Sequence, residues 1–206
     1  MNNSSNKVRR ITLTALLVAI IFLLAFTPLG YLVIGPIAAT TIQMPVVIGA
    51  VLMGPATGTI LGFFFGLSAI VKVLTMPGAD PFATMAMTYS PLRYIIICMG
   101  SRILMGWLTG LIDAQLKKVP SLRKGSYSAI RYGVIGFVGS MLNTIFYLGL
   151  LWGLAAQVIA TAYETDLSSV GGIVMGTAVT AGIPEAIVSC IVVTAVCKAA
   201  ERIIKQ

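Results

Sequence analysis

Residues 11–45 read ITLTALLVAIIFLLAFTPLGYLVIGPIAATTIQMP. The first sixteen are apolar but for Thr12 and Thr14, close to the roughly 20 mainly apolar residues that a bilayer-spanning helix needs. The remainder stays apolar yet is broken by Pro28, Gly30, Gly35, Pro36 and Pro45, so it cannot continue as one helix. An apolar segment that cannot be one helix, directly after one that can, has to be explained by the solvent of the whole chain.

That solvent is lipid. Of 206 residues, 58% are hydrophobic and 10% charged, too little polar material to cover a water-soluble surface. Apolar runs recur at 11–26, 37–54, 56–75, 91–112, 129–161 and 170–198. The expectation is an all-α integral membrane protein, a single transmembrane domain over 1–206 with six transmembrane helices. The second run is short and kinked at Pro45, and the fifth is long enough to require tilt or an extension beyond the bilayer. A transmembrane β-barrel would alternate apolar and polar residues, which IFLLAF and IIICMG do not.

Charge gives an orientation. Lys7, Arg9 and Arg10 precede the first run; Lys117, Lys118, Arg123, Lys124 and Arg131 lie between the fourth and fifth; Lys198, Arg202 and Lys205 close the chain. These are 11 of the 14 basic residues. The positive-inside rule puts all three groups, and so both termini, in the cytoplasm. The net charge of +8 is thereby a topology signal with anionic lipid as its partner, and no basic, aromatic-interleaved face calls for nucleic acid. KVRR before an apolar run resembles a signal peptide, but FTPLG follows where small cleavage-site residues belong, so the segment reads as a retained helix of a multi-pass cell-membrane protein. Cys98, Cys190 and Cys197 fall inside predicted helices without paired spacing, which favours packing over a disulfide or metal site.

In this topology 27–36 faces outward, and Gly35-Pro36 is a suitable helix start. Irregular backbone at membrane depth survives only when buried in protein or lining a cavity, so TPLGYLVIG reads as a lid over the bundle or else as a connector at the headgroups. TMPGADPFATMAMTYSP, 75–91, is a second outer connection of the same type, broken by Pro77, Gly78, Pro81 and Pro91. Two such loops on one face suggest a capped pocket.

Four ionisable residues fall within predicted spans: Lys72, Arg93, Arg102 and Glu185. Each costs on the order of 3 kcal/mol unless paired or wetted. Lys72, Arg93 and Glu185 share one depth near the outer face, leaving one cation over for an anionic group such as a carboxylate. A guanidinium grips a carboxylate through two parallel hydrogen bonds, which selects Arg93. The structural reading of Lys72 and Arg93 is snorkelling to headgroups, and that of Glu185 is an ion pair with one of the cations. Arg102 lies on the opposite helix face, about 13 Å deeper, where a structural role is expected. Asn143 and Tyr147 at i, i+4, Tyr89 four before Arg93, and Gln43 complete the candidate pocket; each could equally be interhelical glue.

Small residues mark expected packing seams at Gly58, Gly62 and Gly66, at Gly106 and Gly110, and at Gly149 and Gly153. Ala15 and Ala19 form a smooth strip on the first helix, open to close approach by another helix. There is no Walker A sequence, no histidine and no nucleophile constellation, so neither catalysis nor a cofactor is expected. Any ATP that drives transport must be bound by another subunit.

These residues resemble the membrane-embedded substrate-binding subunits (S components) of energy-coupling factor vitamin transporters. Size, six helices, broken outer loops and the A-x-x-x-A of Ala15 and Ala19 carry the resemblance, and FTPLGYLVIGPIAATTIQMPVVIGAVLMGP is most similar to the branch assigned to pantothenate. The resemblance implies a subunit that binds its vitamin from outside, docks through Ala15 and Ala19 on a transmembrane coupling subunit with two ATPases, and topples to release it. Pantothenate, a monocarboxylate with hydroxyls and an amide, agrees with Arg93 beside Asn and Tyr groups. The alternatives are an S component for another vitamin and a proton-coupled secondary transporter using Glu185; the latter should carry internal repeats, which the sequence does not show.

Overall fold

Each predicted run becomes helical where it has length, and something else where proline and glycine interrupt it. The computed structural model describes residues 3–34, 37–77, 81–123 and 127–204. Gly35, Pro36, Gly78, Asp80, Lys124 and Lys205, singled out above, lie outside them. The helices are α1 (Asn3–Ala25), α2 (Gln43–Met53), α3 (Pro55–Thr75), α4 (Pro81–Tyr89), α5 (Pro91–Leu116), α6 (Pro120–Arg123), α7 (Ser128–Ala162), α8 (Val170–Thr177) and α9 (Ile183–Ile204). A π turn over Ala178–Gly182 joins α8 to α9. Five helical segments are long and apolar enough to cross a membrane: Lys7–Ala25, Pro55–Thr75, Pro91–Leu116, Ser128–Ala162 and Leu167–Arg202.

The second run departs from expectation. No helix starts beside Gly35-Pro36; instead β1 (Tyr31–Ile34) and β2 (Ile37–Thr40) pair antiparallel, with Tyr31 opposite Thr40 and Ile34 opposite Ile37. The helix begins only at Gln43 and runs 11 residues, about 16 Å of rise or half the hydrocarbon thickness. Pro45 sits in its first turn, where its missing N–H breaks no helical bond, so no kink forms. Residues Gln43 to Val51 are all buried, packed among α1, α3, α5, α7 and α9. A helix buried along most of its length need not match the bilayer. The second outer connection is likewise not a broken loop throughout: ATMAMTY contains good helix formers behind Pro81, and 81–89 is helical.

Glycines set the closest approach in the bundle. A Cβ added at Gly58 would overlap the Gly106 carbonyl, one at Gly106 would overlap the Gly58 carbonyl, and one at Gly62 would overlap the carbonyl of Arg102. The α3 and α5 backbones therefore touch, as their small-xxx-small spacing predicts. Gly149 and Gly153 behave otherwise: nothing lies within 4 Å of an added Cβ at either, so they form no seam among the described residues.

Polar groups gather at one end. Lys117 Nζ lies 2.7 Å from Asp113 and Arg131 Nε 3.2 Å from the same carboxylate, while Lys117 also donates to the Val51 carbonyl at 2.8 Å. Arg10 donates to Thr57 at 3.1 Å, and Lys198, Glu201 and Ser128 form a further group. These contacts bring the starts of α1, α3 and α7 together with the ends of α2, α5 and α9. At this end α2 turns into α3 through Gly54, whose φ of +92° suits a residue without a Cβ.

The glycine seam gives a direct prediction. Gly58→Ala and Gly62→Ala should each destabilise the protein by about 1–3 kcal/mol through forced separation of α3 and α5, read as a lowered melting temperature in detergent. Gly149→Ala and Gly153→Ala should leave it unchanged or slightly raised.

Candidate substrate-binding site

On α7, Ser140, Asn143, Thr144 and Tyr147 follow the i, i+3, i+4, i+7 spacing of a single helix face. Ser140, Asn143 and Thr144 are buried. Thr144 spends its hydroxyl on the Ser140 carbonyl, and its side chain would meet any Cβ added at Gly182 of the π turn. Gln43, the first residue of α2, donates through Nε2 to Ser140 Oγ at 2.6 Å and to Glu185 Oε2 at 3.3 Å. The other Glu185 oxygen accepts the backbone N–H of Thr40 at 2.7 Å. Three elements far apart in sequence thus meet in one polar cluster.

The cluster is rich in oxygens without a donor. Among the described residues no hydrogen bond reaches Gln43 Oε1, Asn143 Oδ1 or Ser189 Oγ, all buried, nor Thr109 Oγ1 nearer Gly139. Leaving a buried acceptor unmade costs about 1–3 kcal/mol. Such groups suit a ligand that brings N–H or O–H donors.

One turn beyond Asn143, Tyr147 meets Arg102. The guanidinium carbon lies 4.8 Å from the Tyr147 ring centroid and 4.6 Å from that of Phe65, and Nη1 donates to the Cys98 carbonyl at 3.1 Å and to Ser101 Oγ at 3.3 Å. Aromatic faces at these distances stabilise a cation by their quadrupoles. Arg102 is 9% exposed, and its backbone carbonyl abuts Gly62. The seam between α3 and α5 therefore fixes where this guanidinium enters the bundle.

Arg93 lies elsewhere. It is exposed on the first turn of α5, donating to the Leu154 carbonyl at 3.1 Å and to Tyr89 Oη at 3.5 Å. Tyr89 in turn donates to Gln157 Oε1. The Leu154 carbonyl precedes Ala155, whose φ of −143° and ψ of 32° break the helical path of α7. Tyr89 and Gln157 line a cavity of about 820 Å³ with Pro77, Thr84, Thr161 and Leu167. Lys72 is half-buried in the last turn of α3. The expected pocket residues consequently divide into two groups. Gln43, Asn143, Tyr147 and Glu185 share the polar face, joined by Arg102, whereas Tyr89 lines the cavity and Arg93 donates to Tyr89. Ser140 was missed, though its spacing from Asn143 and Tyr147 signals the same face. Ala15 and Ala19 are exposed on α1.

Residues 9–197 match the family model described as ECF transporter, substrate-specific component. The chain belongs to this family of S components. An S component is a substrate-binding transport subunit rather than an enzyme, and a multi-pass integral protein of the cell membrane. A related protein, "Pantothenate transporter PanT" of Leuconostoc mesenteroides subsp. mesenteroides, is 28% identical over 147 residues, which are 69% of this chain and 67% of the relative. The fold is similar to the crystal structure of the S-component for biotin from an ECF-type ABC transporter, with a TM-score of 0.58 at 19% identity over 96% of this chain and 95% of that one.

Proposed function

We propose that this S component is the high-affinity substrate-binding membrane subunit of an ATP-driven vitamin uptake transporter, and that its vitamin is pantothenate. The observation that carries the substrate is the composition of the α7 face. Along α7, Tyr147, whose ring lies against the Arg102 guanidinium, is one turn from Asn143, and Ser140, which accepts from Gln43, follows three residues further back. Pantothenate carries a carboxylate at one end and hydroxyl and amide donors along its length, complementary to that order. The relative's description as a pantothenate transporter agrees with this reading. The biotin-binding neighbour shares the fold at an identity too low to carry a substrate.

In this reading the carboxylate meets Arg102 rather than Arg93. Arg102 is buried beside the acceptors, whereas Arg93 is exposed and engaged with Tyr89 and α7. Tyr89, Arg93 and Lys72 would then serve the approach to the site. The six-crossing topology with cytoplasmic termini is supported by the clustering of the basic residues at one end. Ala15 and Ala19 would dock on a transmembrane coupling subunit that works with two ATPases; both are exposed on α1, as docking requires.

Titration of the purified subunit with pantothenate tests the site. Arg102→Ala should cost about 2–5 kcal/mol of binding, Arg102→Lys should recover part of it without the bidentate fork, and Arg93→Ala should change affinity less than about threefold. Loss of binding in Arg93→Ala with Arg102→Ala intact would make Arg93 the grip; unchanged affinity in both would move the site away from α5.

Docking has its own test. Ala15→Trp or Ala19→Trp should leave pantothenate affinity of the isolated subunit intact while abolishing its recovery with the coupling subunits in a pull-down. Normal assembly of both variants would remove this strip from the docking face.

A further inference from the structure

Charge on the polar face follows an order. Arg102 stands against Tyr147, and Ser140 lies two turns back along α7, about 10 Å along the helix axis. Beyond Ser140 comes an anion: Gln43 Nε2 is 2.6 Å from Ser140 Oγ and 3.3 Å from Glu185 Oε2, so a single amide separates the carboxylate from the α7 face. Glu185 is buried, and among the described residues no cation lies within ion-pair distance of it. Both of its oxygens accept, one from the Thr40 N–H at 2.7 Å and one from the Gln43 amide, as an ionised carboxylate does. Gln43 is also the first residue of α2, and the N-terminus of a helix attracts negative charge. A site built to meet an anionic group of its ligand here would offer that helix end or a cation. The protein instead fills the position with a carboxylate of its own.

The geometry points to Glu185 as a specificity-determining residue: its carboxylate reserves the end of the site away from Arg102 for neutral hydroxyl and amide groups, and rejects a ligand that carries a second anion there. The inference rests on the proposed reading of the site, with pantothenate as ligand and its carboxylate at Arg102. A phosphate monoester on the terminal hydroxyl of pantothenate keeps the carboxylate and the amide but adds about −1.5 to −2 of charge where Glu185 stands. Like charges brought together away from water repel strongly. The free vitamin is thereby bound and its phosphorylated form refused, a discrimination that Arg102 alone cannot make because both molecules present it with the same carboxylate.

Competition titrations of the purified subunit at mildly alkaline pH test this with three probes: pantothenate, its terminal phosphate monoester, and the neutral dimethyl ester of that phosphate. The unmodified protein should bind the monoester at least about 100-fold more weakly than pantothenate. The dimethyl ester is larger but uncharged and should bind better than the monoester, which separates charge from size without any substitution. In Glu185→Gln, which keeps the shape and one acceptor oxygen, the ratio of the monoester and pantothenate dissociation constants should fall about tenfold or more. Disturbed packing alone would weaken both ligands together and leave that ratio in place. Equal rejection of the two esters by the unmodified protein would make the exclusion one of size and overturn the inference. An unmoved ratio in Glu185→Gln, or a monoester bound as tightly as pantothenate by the unmodified protein, would overturn it too, and each of these results leaves pantothenate as the substrate. If the unmodified protein binds no pantothenate, the substrate reading and this inference fall together. Should Glu185→Gln fail to fold, the comparison of the two esters in the unmodified protein decides.

Discussion

Hydrocarbon offers no hydrogen bonds, so every polar group this chain carries into the bilayer must be answered by the chain itself. Most are answered locally. Ser101, Thr144 and Thr194 donate to carbonyls four residues back, and Ser68 to one three back, which uses up their donor hydrogens and leaves only acceptor capacity. Against that background the oxygens of the polar cluster left without donors, on Gln43, Asn143 and Ser189, acquire meaning. They lie on α2, α7 and α9, which pack together, and the last amide of β2 is answered by Glu185. The same constraint accounts for the contact between α3 and α5, because bare backbone surfaces pack through van der Waals contact when no hydrophobic effect drives helices together in lipid.

The sequence reading reached the helices readily, since runs such as IFLLAF and IIICMG admit one reading in lipid. It also reached the seam at Gly58 and Gly106, where spacing and residue size suffice. The same spacing misled at Gly149 and Gly153, because a small-xxx-small pattern states that close approach is possible and not that a partner is present. The hairpin had a signal that was passed over: YLVI and IAAT flank a two-residue Gly-Pro connection, the punctuation of paired strands, but the surrounding apolar context favoured a helix.

The site was legible in part. Glu185 came from the cost of an intramembrane charge and Gln43, Asn143 and Tyr147 from their donor and acceptor groups, and the structure draws these candidates to one face of the bundle. Arg93 and Arg102 were correctly assigned opposite faces of one helix, yet a helical wheel does not say which face is interior. That depends on where Gly62 meets the Arg102 carbonyl and on the rings of Phe65 and Tyr147, none of which is adjacent in sequence. The pairing of Asp113 with Arg131 was invisible for the same reason.

The π turn before Glu185 has an evolutionary corollary. Pro184 has no N–H to offer the carbonyl of Thr180, and its ring crowds that carbonyl; the wider turn over Ala178–Gly182 accommodates both by holding an extra residue. That extra residue sets the rotational phase between the two halves of the segment. Deleting one position there, with Pro184 replaced, would restore a continuous α-helix and swing everything beyond it by about 100° relative to everything before. Glu185 and Ser189 would exchange places with lipid-facing neighbours while Val170–Thr177 stayed in register. Homologues that differ in length within this short window would therefore present a different set of side chains to the interior, so a single codon gained or lost here could remodel selectivity without any substitution in the residues that line the site.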